Sequence, residues 1–230
     1  MIILHYHPFC PHSRFIRLAL GEYGVEPRLV EQRPWERQRE FLLMNPDGST
    51  PVLVDDAAPP ICGANVIAEY LDETRGLALS DRRLMPDSPL SRAETRRLMN
   101  WFNVKFFDEV TNWLVTEKVY KRFRTNGQGG GGPDMNAVRA ARANVRYHLR
   151  YIGHLIGARN WLAGDRMTYV DLAAAAHLSC ADYLGDVPWS EDEAAKNWYA
   201  RMKSRPTFRA LLADRLLGMA PSEAYSNPDF

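Results

Sequence analysis

The apolar positions of this chain change period as one reads along it. Ile2-Ile3-Leu4-His5-Tyr6 is a short β-rich run that reads as a buried strand. His7-Pro8-Phe9-Cys10-Pro11 breaks the run. From His12 the apolar residues fall at helical spacing (Phe15, Ile16, Leu18, Ala19, Tyr23), and Gly24 is placed to end that helix. Pro27-Arg28-Leu29-Val30-Glu31 predicts a second strand, so the start is a βαβ unit whose helix is the crossover between parallel strands. A polar stretch from Gln32 to Glu40 holds Pro34 and Trp35. Phe41-Leu42-Leu43-Met44 then leads into Asn45-Pro46-Asp47-Gly48, a strong turn signal. Pro51 to Asp56 predicts a strand, Pro60-Ile61-Cys62 a further short one, and Val66 to Leu71 a helix with an apolar stripe. The order is β-α-β, then β-β-α.

The segment after this unit carries charges and the prolines Pro86 and Pro89, and reads as a linker. Helical period dominates from there: Ser91 to about Phe123, then Tyr169 to Leu184, Glu191 to Arg205 and Pro206 to about Leu216. Thr125 to Pro133, with Gly127 and the run Gly129 to Gly132, predicts a flexible loop. Asp134 or Asn136 can cap the helix that follows, which carries Val138, Val145, Leu149 and Ile152. The expected organisation is an α+β chain. Residues 1–76 form a thioredoxin-like module, 77–90 a linker, 91–217 an all-helical domain, and 218–230 an extended tail with two prolines and no period.

Composition narrows the possibilities without redirecting them. At 230 residues, 46% hydrophobic and 25% charged, the chain can fill an apolar core without staples. A net charge of +1 argues against a nucleic-acid footprint or a general attraction to membrane surfaces. Three widely spaced cysteines, Cys10, Cys62 and Cys180, make a poor disulfide framework and suit reduced thiols in a cytoplasmic protein. The start does not read as a signal peptide, and no apolar run approaches the roughly 20 residues of a membrane span.

Three features carry candidate chemistry. Cys10-Pro11-His12-Ser13 sits where the first strand meets the first helix, where free N–H groups and the positive dipole end stabilise a thiolate. The Cys-x-x-Ser spacing gives one nucleophile and no resolving thiol. Pro51, after Thr50, opens a strand; an X–Pro bond can be cis there, or trans at the start of an edge strand. Thr168, with Asp171 three residues on and an apolar helix following, is a capping box and so a structural pair. His5, His7 and His12 cluster near Cys10, but no zinc spacing matches, and no metal is expected. Lys118, Lys121, Arg122 and Arg124 read as a solvated basic face near a helix C-terminus.

Taken in order, the strand–Cys10-Pro11-x-Ser13–helix start, the Asn45-Pro46-x-Gly48-x-x-Pro51-Val52-Leu53 turn, the Ile67-Ala68-Glu69-Tyr70-Leu71 helix and the Gly164…Thr168…Asp171 cap resemble the cytosolic glutathione transferase family over nearly the whole chain. The resemblance implies a thioredoxin-like domain, an all-α domain, commonly a dimer, and a glutathione site in the cleft between them. It makes Cys10 or Ser13 the residue near the glutathione sulfur, Pro51 the cis-proline, and Thr50 the residue whose backbone pairs with the peptide. The family pattern also has an acidic residue followed by Ser or Thr that grips the γ-glutamyl end; Gly63-Ala64 stands in that place. Losing two charge-assisted contacts at about 1.5–3 kcal/mol each weakens glutathione by a factor on the order of a hundred or more. Asn65 is a partial substitute. Glutathione is therefore expected as a weakened ligand at most.

A narrower likeness rests on Arg33-Pro34-Trp35-Glu36-Arg37, Trp101-Phe102 to Phe106-Phe107, Glu117-Lys118-Val119, Arg146 to Gly153, Asp182 to Trp189 and the end Tyr225 to Phe230. These stretches are similar to the alphaproteobacterial FzlA group, which is associated with the division protein FtsZ and acts in binding. The likeness implies an FtsZ-binding regulator of cytokinesis: cytoplasmic, at the division site, homodimeric and not catalytic. The alternative is a glutathione-dependent transferase or thiol-transferase using Cys10 or Ser13. Trp35, flanked by Arg33 and Arg37, has no periodic partner and suits an interface, since Trp and Arg are enriched at hot spots. Asp229 and Phe230, at the apolar tip of the tail, suit a second division partner.

Overall fold

A computed structural model describes residues 1–56 and 58–227. β1 (Ile2–Tyr6) occupies an inner position in a four-stranded sheet of order β2-β1-β3-β4, with Leu4 buried beneath it. α1 (Pro11–Glu22) crosses over to β2 (Arg28–Glu31), which pairs parallel to β1 as the βαβ pattern requires. A 3₁₀ turn (Pro34–Glu36) and the short α2 (Arg39–Met44) follow. β3 (Val52–Asp55) lies antiparallel on the other side of β1, β4 (Ile61–Cys62) antiparallel to β3, and α3 (Ala64–Arg75) closes the unit.

Helix follows from residue 89 onward. α4 (Pro89–Asn100) starts two residues earlier than its apolar period suggests. Pro89 lies in its first turn, not in a linker, because proline fits the position whose N–H has no partner, and Ser88 caps the turn by accepting from the Ser91 N–H at 3.1 Å. The helix runs on through a π-helical stretch (Trp101–Thr111), a turn of α-helix, α5 (Asn112–Val115), a second π-helical stretch (Thr116–Tyr120), and α6 (Lys121–Phe123). The glycine-rich segment holds a 3₁₀ turn (Asn126–Gln128), closed by a capping box between Thr125 and Gln128. Gly130 is required there: a Cβ would collide with the Arg124 carbonyl. The composition of that segment predicts a flexible loop; the turn within it is tied down by Thr125 and Gln128, which lie outside the glycine run.

α7 (Met135–Ala158) is capped by Asp134, which accepts from Asn136 N–H at 2.8 Å. α8 (Tyr169–Tyr183) is buried along its whole length, as befits a helix apolar on every face. α9 (Glu193–Lys203), α10 (Arg209–Leu212) and α11 (Glu223–Ser226) complete the chain. The apolar core is continuous from the sheet into the helices. Its seam is α1 against α8: Phe15 meets Tyr169 edge-on, and the hydroxyls of Tyr23 and Tyr169 lie 2.6 Å apart. Arg17 pairs with Asp214 at 2.7 Å and Arg205 with Glu22 at 2.6 Å around the rim.

The C-terminal segment departs from the extended tail that its sequence suggests. Ser222 caps α11, and Tyr225 is buried with its hydroxyl donating to the Leu211 carbonyl at 2.6 Å. Lys203 Nζ donates to the carbonyls of Ala224 and Asn227. One aromatic and one cap are too short a pattern to register as a period, yet they dock the segment through Asn227. Asp229 and Phe230 lie outside the described residues. No helix among the described residues is long and apolar enough to cross a membrane.

Candidate functional site

The turn between β1 and α1 positions the thiol. Cys10 is the residue before the first helical turn, in extended conformation, with its N–H bonded to the His7 carbonyl at 3.0 Å and Pro11 following. Its sulfur faces the Thr50 carbonyl at 3.3 Å, beside the cis Thr50–Pro51 peptide bond. Ser13 is buried and turned back into the same turn, accepting from His7 N–H at 3.4 Å. Of the two candidate activating residues, Cys10 lines the cleft and Ser13 supports it from below.

His12, two residues on, completes the arrangement. Its Nε2 lies 2.8 Å from the main-chain oxygen of Asn103, so that nitrogen carries a proton and donates. Asn103 belongs to the first π-helical stretch, where α-helical pairing lapses and a carbonyl can accept a side-chain donor. The Asn103 side chain donates to Asn65 Oδ1 at 2.6 Å and faces His177 Nε2 at 3.2 Å, while His177 Nδ1 faces Thr111 Oγ1 at 2.8 Å. Burial, then the nearby His12 and His148, hold His177 well below the usual imidazole range, so it is neutral. The Asn65 oxygen, the partial substitute for the missing γ-glutamyl contacts, is therefore already engaged.

These neighbours set the charge of the thiol. Burial alone pushes the Cys10 thiol up, but the hydrogen bond and charge of His12, together with the Ser13 hydroxyl, hold it at about 7. His12 moves the opposite way: burial lowers it, and the hydrogen bond and charge of Cys10 outweigh burial and raise it. Each of the two thus favours the charged form of the other. Cys180 is pushed up to about 12 by burial, and Cys62 is raised by burial and by Asp47. His7 is held near 3 by burial and by Arg14 and Arg33, so its neutral Nδ1 accepts from Phe9 N–H at 3.1 Å.

A cavity of about 360 Å³ opens above the sulfur, between the two halves of the molecule, and Pro34, Phe107, Val115 and Tyr120 give it apolar walls. No lysine or arginine is among its lining residues. Next to it, the N-terminus of α3 is bare: Gly63 precedes the first turn with φ of 89° and no side-chain cap, and Ala64 follows. Trp35 is half-buried at the rim, 5.1 Å from the Tyr120 ring and 5.4 Å from His7, with the Arg124 guanidinium 5.6 Å from its centroid. Gln128 Nε2 reaches the Trp35 carbonyl at 3.5 Å. Trp35 thus bridges the first domain to the end of the long helix, and Arg33 and Arg37 beside it are exposed.

Away from the cleft, Thr168 and Asp171 meet as a reciprocal cap: Thr168 Oγ1 accepts from Val170 N–H and Asp171 accepts from Thr168 N–H. Asp171 also accepts from Leu162 N–H and Trp198 Nε1. Arg14, fully buried, donates to the Pro8 carbonyl at 2.6 Å and to Ser179 Oγ at 2.8 Å, and reaches Tyr225 at 3.4 Å. The sequence reading missed Asn103, His177, Tyr120 and Arg14. The one signal was an asparagine inside an otherwise aromatic helical stripe, Trp101-Phe102-Asn103 to Phe106-Phe107.

Comparison with known proteins follows this geometry. The glutathione S-transferase N-terminal domain model matches residues 9–74 and the C-terminal domain model residues 133–206. The chain is 45% identical over 230 residues to FtsZ-localized protein A of Caulobacter vibrioides, covering 99% of this chain and 97% of that one. The solved structure of FzlA from C. crescentus superposes with a TM-score of 0.90 at 45% identity, over 100% of this chain and 99% of that one. A glutathione S-transferase from Sinorhizobium meliloti 1021 superposes with a TM-score of 0.98 at 51% identity, over the whole of both chains.

Proposed function

The chain belongs to the glutathione S-transferase family, and from that premise we propose that it works as an FtsZ-binding regulator of bacterial cell division, a binding protein on a transferase fold. The observation that carries this reading is the full-length likeness to FtsZ-localized protein A. The bare start of α3 supports it from the chemical side: Gly63 and Ala64 offer a γ-glutamyl group no side-chain hydrogen bond, and Asn65 is held by Asn103. FtsZ filaments dock on the turn that carries Trp35, with exposed Arg33 and Arg37 meeting an acidic surface. Asp229 and Phe230 engage a second division protein. The working state is a cytoplasmic homodimer at the division site.

A second reading, a glutathione-dependent transferase or thiol-transferase, is favoured by one observation: Cys10 is held near 7 beside the cis-proline. Co-sedimentation with FtsZ assembled in GTP separates the two. Saturable pelleting that Trp35→Ala abolishes supports the division role. No pelleting where FtsZ itself assembles overturns it, and glutathione titration then decides the second.

A further inference from the structure

We propose that the outer end of the helical domain holds a binding site for a small organic phosphate monoester, built around Arg159 and Arg201 where the end of α7 meets α9. An open cavity of about 500 Å³ lies there, and it shares no lining residue with the cleft above Cys10. Ile156 of α7 with Arg159 and Asn160 just beyond it form one side, and Asn197, Trp198 and Arg201 of α9 form the other. No acid is among the lining residues.

Both guanidinium groups are held in place yet only partly used. Arg201 lies over the Trp161 ring, 3.8 Å from its centroid, and its Nη2 donates to the Asn160 carbonyl at 2.5 Å. Arg159 Nη1 donates to the Leu162 carbonyl at 2.8 Å and to Glu94 at 2.9 Å. Their other nitrogens, and the side-chain amides of Asn160 and Asn197, have no protein partner among the described residues. Closing the end of α7 thus accounts for one nitrogen of each arginine. The charge is not neutralised either: Glu94 also accepts from Arg97 at 2.8 and 3.0 Å, so Arg97, Arg159 and Arg201 have one carboxylate among them. A planar fork matches a phosphate through two parallel bonds, and a fork already held loses little freedom when the anion arrives. Ile156 and the buried Trp198 give an organic body an apolar floor, and the cavity is of the size that takes a whole small molecule. The ligand is therefore an ester, not bare phosphate.

The proposal does not rest on the division reading. The test is a calorimetric titration of the full chain at low salt with phenyl phosphate, which joins a phosphate to an apolar body. A one-site isotherm that saturates below about 1 mM is expected, as two charge-assisted contacts allow. Inorganic phosphate should bind at least about tenfold more weakly, and phenol should give no isotherm. Asn197→Asp, at an exposed position with no hydrogen bond to lose, puts a like charge in the lining. It should weaken phenyl phosphate by at least about tenfold and leave the melting temperature within about 2 °C. Arg201→Gln should weaken it similarly. A titration without saturation, inorganic phosphate binding as tightly as the ester, wild-type affinity in Asn197→Asp, or displacement by glutathione overturns the proposal. The Asn197 variant decides it even if Arg201→Gln does not fold. FtsZ co-sedimentation is read separately, so either idea can fail alone.

Discussion

His12 in the first domain and Asn103 in the helical domain are joined by a 2.8 Å hydrogen bond from the imidazole to a main-chain oxygen. That bond makes the thiol site a shared construction. The cysteine and its base come from the start of α1, and the group that orients the base comes from a π-helical stretch of the long helix. The ionisation of Cys10 therefore reports on how the two halves sit against each other.

The three thiols should label in a defined order. With iodoacetamide, Cys10 is expected to react first, at a rate rising through pH 7, because the thiol is unreactive below that value and the thiolate accumulates above it. Cys62, more exposed but raised by burial and Asp47, should lag until higher pH, and Cys180 should react only on unfolding. Peptide mapping across a pH series checks this; simultaneous labelling of Cys10 and Cys62 would contradict the His12 account.

The surface around Trp35 separates packing from docking. Arg33 and Arg37 are exposed, and Arg33 pairs only with Glu36. Charge reversal at both should leave the melting temperature within about 1 °C, since exposed pairs contribute little. FtsZ binding should weaken and lose salt dependence, chiefly through the on-rate. Equal binding by the double variant at low salt would remove these residues from the interface.

Gly63→Glu with Ala64→Ser should restore part of a glutathione site. Two charge-assisted contacts regained at about 1.5–3 kcal/mol each should tighten glutathione by a factor on the order of a hundred or more, read by calorimetry. The side chain placed at the left-handed Gly63 backbone should cost about 1–3 kcal/mol of fold stability, read as a lower melting temperature. No gain would mean that the closed rim at Trp35, and not the bare helix start, excludes the peptide.

Asp171→Ala should be among the costliest single changes. It leaves the N–H groups of Leu162 and Thr168 and the Trp198 indole without their acceptor at a buried helix start. A loss of about 3–5 kcal/mol is expected, which at this chain length lowers the melting temperature by roughly 10 °C. Thr168→Ser, which keeps the hydroxyl, should cost less than about 1 kcal/mol.

Much of this architecture is legible in the residues, and the exceptions share a cause. The βαβ start, the turn at Asn45 to Gly48 and the buried helix after Thr168 are each specified by local pattern, by caps, or by turn residues that act within a few positions. Cys10 is legible for the same reason, because the end of a strand and the start of a helix are both written nearby. The orientation of His12 is not legible, since its partner is a backbone atom, and any residue at position 103 has one. The docking of Tyr225 is hidden similarly: its partners are the Leu211 carbonyl and the buried Arg14, both distant in sequence. Glycine content hid the 3₁₀ turn at Asn126–Gln128, whose conformation is set by the capping box between Thr125 and Gln128.

The wide turns between Trp101 and Thr111 give the long helix something an ordinary helix lacks, which is slack. Removing one residue from a regular α-helix swings everything beyond it by about 100°. In α4 such a deletion would carry Val115 and Tyr120 away from the cleft. The same deletion inside the π-helical stretch can be absorbed as a wide turn tightens to an α turn, and the residues beyond keep their bearing. What would be lost is local: the oxygen facing His12 would retire into the helix's own ladder. Residue count in that one stretch is thus a dial on the thiol, set apart from the residues that hold the fold together.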